Sequence, residues 1–333
     1  MVVTVIARRI GTADDAGRMV PHARAKPLDR PPAESPEAHA TLPAVTASSE
    51  APSSFRSSAV RPGPLALIRI GVTETLSRRR LIAYLVRADL KKSGADTLLG
   101  NLWWIVDPLL QMAIYYVLVG VILARGRVED YPLFIFAAIL PWKWFTETIQ
   151  LGTTSVVGGE RLIKQIYFPK LVLPLAATTS SVVSFAFGLI PLVGLMLIAY
   201  QGRITPWLLL IPVVAAVQLL FSLGLAIGVS ALNVFYRDVG NIARHALRFW
   251  FYLSPTLYSV NDIQKIAGEH RIIELWYQLN PFTHILGSYR SLIYYGQAPD
   301  WVGLGAVAAV SVVLLALAIW LFKRVEPSFA KVL

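Results

Sequence analysis

Residues 206–234 read PWLLLIPVVAAVQLLFSLGLAIGVSALNV, an apolar stretch with no Asp, Glu, Lys or Arg. A hydrocarbon layer of about 30 Å needs roughly 20 helical residues at about 1.5 Å of rise each. Only a helix or a closed barrel satisfies its own backbone there, so this stretch reads as a membrane-spanning helix. Working outward, five further helix-length runs stand at about 102–124, 131–155, 171–199, 244–260 and 301–322. The 333-residue chain is 55% hydrophobic with a mean hydropathy of +0.57, and its apolar residues lie in long runs rather than the short alternations of a soluble core. The predicted fold class is all-α, a polytopic bundle of six transmembrane helices over 102–333.

The net charge of +11 is distributed between these runs. That placement fits topology and anionic lipid headgroups better than nucleic acid, which is not expected as a partner. Arg78, Arg79, Arg80, Arg87, Lys91 and Lys92 precede the first run, and Arg161, Lys164 and Lys170 follow the second. Arg237, Arg244 and Arg248 follow the fourth, and Lys323, Arg324 and Lys331 the sixth. The intervening linkers hold only Arg125, Arg127 and Arg203, then Lys265, Arg271 and Arg290 in a much longer loop. An even number of spans with this bias puts both termini in the cytoplasm of a multi-pass plasma (inner) membrane protein. Cysteine is absent, which excludes disulfides and thiolate metal sites, and the five His show no paired metal spacing; no metal site is expected.

Residues 1–64, rich in Ala, Pro, Ser and Arg, read as a disordered cytoplasmic tail without a cleaved signal peptide. In the region 65–101, Leu81, Ile82, Leu85 and Val86 share one helical face with Arg80, Arg87 and Lys91 opposite. Such a helix lies in the headgroup plane or rests on protein, and the adjoining membrane run favours the headgroup plane. The segment 261–297 is apolar and aromatic from Ile272 to Tyr295, yet Asn280-Pro281, His284 and Arg290 interrupt it. It is expected to be an external re-entrant helical hairpin, with a seventh complete span as the competing reading. Backbone of that kind is tolerated at membrane depth only under protein or beside water.

No stretch reads G-x-x-x-x-G-K-[ST], so a phosphate-cradling loop is missing and ATP-driven work requires another polypeptide. Five short stretches recur in a recognisable order. Leu99-Gly100 with Trp103, Trp104 and Pro108 opens the first run, and Tyr131-Pro132-Leu133-Phe134 leads to Leu140-Pro141-Trp142 in the second. Residues 158–169 read GGERLIKQIYFP and residues 233–238 NVFYRD, and Leu279-Asn280-Pro281-Phe282 is followed by Tyr289-Arg290. From about Arg80 to the C-terminus the chain therefore resembles the type-2 ABC exporter permeases, specifically those of O-antigen, capsular and related cell-wall polysaccharides.

That resemblance implies a homodimer of permeases joined to two copies of an ABC ATPase subunit, which holds the ATP and Mg, while this chain binds no cofactor and has no catalytic residue. The implied cargo is an undecaprenyl-pyrophosphate-linked glycan passing between the protomers. Segment 158–169 becomes the coupling helix, with Glu160, Arg161, Lys164 and Tyr167 toward the ATPase; read without the resemblance, it is a helical loop whose charges set topology. Arg87, Lys91 and Lys92 are the candidates for first contact with the carrier's anionic headgroup. A sugar's C–H faces stack on aromatic rings, which makes Tyr115, Tyr116, Trp250 and Tyr252 candidates for the channel lining. Lys143 and Glu147, four residues apart inside the second run, are expected to pair, because an unpaired charge there costs about 2.5–3.5 kcal/mol. Gly224-x-x-x-Gly228 offers a close approach to another helix. Export of teichoic acid or a small amphiphile is the alternative within the family. A polyprenyl-phosphate enzyme is the distant one, since Asp107, Glu147 and Asp238 stand on different elements.

Overall fold

The computed structural model describes residues 63–95, 97–122, 129–258 and 271–333. The expected tail, up to residue 62, lies outside the described residues, as do Arg125, Arg127, Lys265 and positions 261–270 of the external segment. Helices account for every regular element among the described residues. In chain order they are α1 (Pro64–Ser77), α2 (Arg79–Gly94), α3 (Trp103–Tyr115), α4 (Tyr131–Gly158), α5 (Glu160–Gln165) and α6 (Val172–Ala199). Then follow α7 (Ile211–Phe235), α8 (Val239–Leu253), α9 (Arg271–Leu279), α10 (Pro281–Arg290) and α11 (Trp301–Val332). A π-helical stretch, Tyr116–Ile122, prolongs α3, and another, Ser291–Tyr295, prolongs α10.

Among the described residues, four stretches are long and apolar enough to cross a bilayer: Gly100–Ile122, Val172–Ala199, Pro206–Phe235 and Trp301–Val332. The other two expected spans differ from them for physical reasons. Helix α4 has the length, 28 residues, but carries Lys143, Glu147, Gln150 and several Thr. It is the central helix, with Leu133 to Leu140 almost wholly buried, so its neighbours rather than lipid set its composition. The expected span 244–260 is instead the 15-residue α8, starting at Val239 and broken after Leu253 into a turn. At about 1.5 Å per residue it is too short to cross alone. The described part of the hairpin segment, from Arg271 onward, likewise contains no continuous seventh span. Asn280 ends α9 and caps α10, its Oδ1 accepting from the backbone N–H of Phe282 at 3.1 Å.

Small residues set the helix crossings. A Cβ on Gly152 of α4 would stand 2.6 Å from the Cβ of Ala226 on α7, and one on Gly224 would stand 3.1 Å from the backbone nitrogen of Leu315 on α11. The Gly224 end of the sequence motif thus lets α11 approach backbone to backbone, whereas Gly228 meets only Ala318, at 4.0 Å. Around Phe282, which is fully buried, Trp142, Phe145, Phe221 and Trp250 form an aromatic core with centroids 4.4–6.0 Å away.

The two ends of the bundle are tied differently. At one end Arg203 reaches Asp130 at 2.9 Å and the carbonyl of Tyr294 at 3.2 Å. Nearby, Arg290 is buried without a carboxylate partner among the described residues and donates to the carbonyls of Pro255 (2.6 Å), Thr256 (2.6 Å), Tyr258 (3.1 Å) and Phe134 (3.4 Å). At the other end Asn233 donates to the carbonyl of Thr153 (2.9 Å) and accepts from the N–H of Gly240 (3.1 Å), joining the ends of α4 and α7 to the start of α8. Helix α2 rests Leu81, Ile82 and Leu85 against the buried cluster at this end.

A polar and aromatic groove beside an uncovered helix

Helix α8 is strongly amphipathic: Leu247 and Phe251 turn inward while Arg244 and Arg248, one turn apart, edge an open groove. The opposite walls come from α3 and α4, and the cavity measures about 650 Å³. Trp103, Trp104, Asp107, Gln111 and Tyr115 line it from α3, and Lys143, Thr146, Glu147 and Gln150 from α4. The spacing explains this convergence, since positions three or four apart share a helix face.

The ion pair expected from the sequence between Lys143 and Glu147 is not the one the structure forms. The Lys143 ammonium forms a salt bridge with Asp107 across the α3–α4 contact. Glu147 accepts instead from the Ser184 hydroxyl of α6 at 2.9 Å. The i,i+4 spacing does bring both side chains to one face, but the helix crossing supplies each with a better partner. Tyr115 and Tyr252 line the groove, while Tyr116 stands outside it on the π-helical stretch. Trp250, also expected in a channel, is in the aromatic core, and its Nε1 donates to Asn280 Oδ1 at 3.1 Å. A helix with an inward and an outward face has room for its Trp on only one of them, and the hydrogen bond decides.

A second cavity of about 630 Å³ adjoins the first, the two sharing Trp104 and Glu147. Lys92 and Asp89 of α2 and Arg161 of α5 line it. Burial raises the Asp89 carboxyl above its ordinary value, opposed by the Ser180 hydroxyl and by Lys92. Of the three residues proposed for headgroup contact, Lys92 lines this cavity, and Arg87 and Lys91 are exposed on α2 beside it. Arg244, Arg248, Gln111 and Gln150 escaped the sequence reading. Arg244 and Arg248 were visible only as part of a topological bias.

The segment between α4 and α6 is a short helix and an extended exit. Glu160 accepts from Lys164 at 2.7 Å, and that bond, helped by the charges of Arg237 and Arg161, holds the exposed carboxyl below its ordinary value. Tyr167 is 96% exposed, its ring standing out from the bundle with the Lys170 ammonium 5.9 Å from its centroid. Ile163 and Phe168 are its buried anchors.

Helix α3 turns Leu109, Met112 and Tyr115 toward the core but leaves Leu110 and Ile114 exposed on a face that the described residues do not cover. One face of the groove is therefore open along an apolar helix.

Residues 80–294 match the ABC-2 type transporter family. The chain is 34% identical over 265 residues to the O-antigen export system permease protein RfbA of Myxococcus xanthus, covering 80% of this chain and 99% of that protein. It is 28% identical over 256 residues to a protein of the same name from Klebsiella pneumoniae, covering 76% and 95%. With most of the helical core inside the match and nearly the whole of each relative covered, the chain belongs to the ABC-2 type transporter family as a multi-pass membrane permease.

Proposed function

We propose that this permease exports a polysaccharide of the O-antigen type, carried on a polyprenyl pyrophosphate, across the plasma membrane. It does so as a homodimer served by two separate ATPase subunits. The observation that carries this reading is the groove: charged and amide side chains gathered between α3, α4 and α8 of an apolar bundle, open beside a helix with an exposed apolar face. Facing lipid, each of those charges would cost about 2.5–3.5 kcal/mol. Facing water inside a pore closed by a second copy, they are solvated, and Trp103, Trp104, Tyr115 and Tyr252 offer ring faces to passing sugars. The names of the relatives support the same cargo. In this reading α4 also spans, α8 and the α9–α10 hairpin complete the bundle from opposite ends, and both termini are cytoplasmic. Lys92 and Arg161 meet the pyrophosphate, Arg87 and Lys91 draw it in from the membrane surface, and Glu160, Arg161, Lys164 and Tyr167 meet the ATPase.

Two coupled measurements test it. With no natural cysteine, single Cys residues at Gly202, which has open space for a side chain, and at the exposed Tyr167 report sidedness. An impermeant maleimide should label the first in intact cells and the second only after lysis. Cells lacking the permease should hold lipid-linked glycan inside. Restoration should need both this chain and an ATPase with an intact Walker lysine. Surface glycan that is unchanged in the deletion strain refutes the cargo assignment.

A further inference from the structure

The sixth span was expected to stop near residue 322, but α11 continues to Val332. The extra turns place Lys323 and Glu326, three residues apart, where α11, α1 and the chain leading into α6 meet; α1 also packs on α11 at Gly71, where a Cβ would stand 2.9 Å from Ile319. The Lys323 ammonium lies 2.8 Å from Glu74 of α1 and 2.7 Å from Glu326, with the Lys323 and Glu326 side chains only 9% and 10% exposed. The second oxygen of Glu326 accepts from the backbone N–H of Lys170 at 2.6 Å, immediately beyond the coupling segment and just before α6. Below this node Phe329, fully buried, packs on Phe322 and Phe235, with centroids 5.2 and 5.9 Å away. Lys164 of α5 donates to the carbonyl of Leu333 at 2.8 Å.

A buried ionic group must offset the loss of its hydration, and an apolar seam of similar shape would hold these helices as well or better. What ions with short directional bonds add is register. The bond from Lys170 N–H to Glu326 does not tolerate sliding: a shift of about 1 Å breaks it, because such bonds run at roughly 2.7–3.2 Å. The Glu326 carboxylate also sits at the N-terminal end of α6, where the helix dipole favours a negative charge. The coupling segment thus ends on a latch borne by α11, and α11 is joined by a second ion pair to α1.

We propose that Glu326 and Lys323 are positioning residues that make α11 and α1 follow the coupling segment, so that the stroke of the ATPase is delivered to the last span and the N-terminal helix. This rests on the reading of 158–169 as the coupling segment. The test uses the purified permease–ATPase complex in liposomes, comparing Glu326→Ala, Glu326→Gln and Lys323→Met with the wild type for ATPase retention, ATP turnover and glycan moved per ATP. Expected for Glu326→Ala and Lys323→Met are retention and turnover within about two-fold, with glycan per ATP down about ten-fold, the scale of one lost hydrogen bond to a charged group. Glu326→Gln, which keeps an acceptor for Lys170, should fall between. Unchanged glycan per ATP, loss of the ATPase from the complex, or failure of all three variants to insert would each overturn the proposal, because it requires a latch that transmits rather than one that binds or folds. Glu160→Ala with Arg161→Ala is the separate control. Normal ATPase association and export in that variant would discard the coupling reading itself, whatever Glu326 does.

Discussion

Replacing Arg290 by Met keeps the volume and removes the charge from a guanidinium that is 3% exposed and donates to four main-chain carbonyls. Those of Pro255 and Thr256, both at 2.6 Å, belong to the tight turn after α8 and lose the short bonds made by this side chain. A buried acceptor stripped of its donor costs about 1–3 kcal/mol. The guanidinium also lies 3.8 Å from the Phe134 ring, a cation–π contact worth about 0.5–2 kcal/mol when desolvated. Relief of the guanidinium's own desolvation works the other way, so the net loss expected is about 3–5 kcal/mol. At roughly 2–4 °C per kcal/mol for a domain of this order of size, the unfolding midpoint should fall by about 6–20 °C. Arg290→Lys keeps the charge but has no planar fork with which to reach carbonyls on two sides, and it should lie between Met and wild type. Thermal unfolding of the detergent-solubilised permease, followed by fluorescence-detected gel filtration, measures both. A Met variant within about 2 °C of wild type, under 1 kcal/mol by the same conversion, would refute the claim that this residue organises the turn.

The corrected intramembrane pairing predicts the outcome of a double-mutant cycle. In export assays Asp107→Asn and Lys143→Met should each impair transport, and the double variant should be better than the product of the two, with a coupling of about 0.5–3 kcal/mol; Glu147→Gln with Lys143→Met should show a smaller coupling, since Glu147 shares the groove but bonds to Ser184. Asp300 caps α11 through the N–H of Gly303 at 3.1 Å, and that bond, aided by His284, holds its carboxyl below the ordinary value. A depressed carboxyl contributes stability above its unfolded pKa of about 3.9 and loses it as pH falls through the lower folded value. Asp300→Ala should therefore be less stable than wild type at neutral pH, by the roughly 0.5–2 kcal/mol of a lost cap. The gap should narrow as pH falls through the lowered folded value, as read from unfolding midpoints in detergent at neutral and acidic pH.

The apolar runs and the basic linkers were legible because transfer into hydrocarbon acts on each segment separately. For that reason the 206–234 helix was found almost to the residue. The placement of α8 was not legible. Its arginines and aromatics have the right period, but the sequence does not say which face meets the groove and which meets Phe282. Lys143 shows the same limit: the residue four positions away is visible locally, whereas Asp107 is brought by a crossing between two helices. The break at Asn280-Pro281 was legible as a break, since proline disfavours helix at the residue before it. What Asn280 does there, tying Trp250 and Ser254 to the start of α10, depends on residues far away in the chain.

The contacts at Gly152 and Gly224 leave no clearance between α4, α7 and α11. A displacement of one of the three therefore carries the other two with it, so they move as one block rather than as independent rods. A push that reaches α11 is then felt along α4 and α7 as well. Groove side chains that stand away from these contacts, such as Gln111 on α3 and Arg248 on α8, can be exchanged without disturbing that fit.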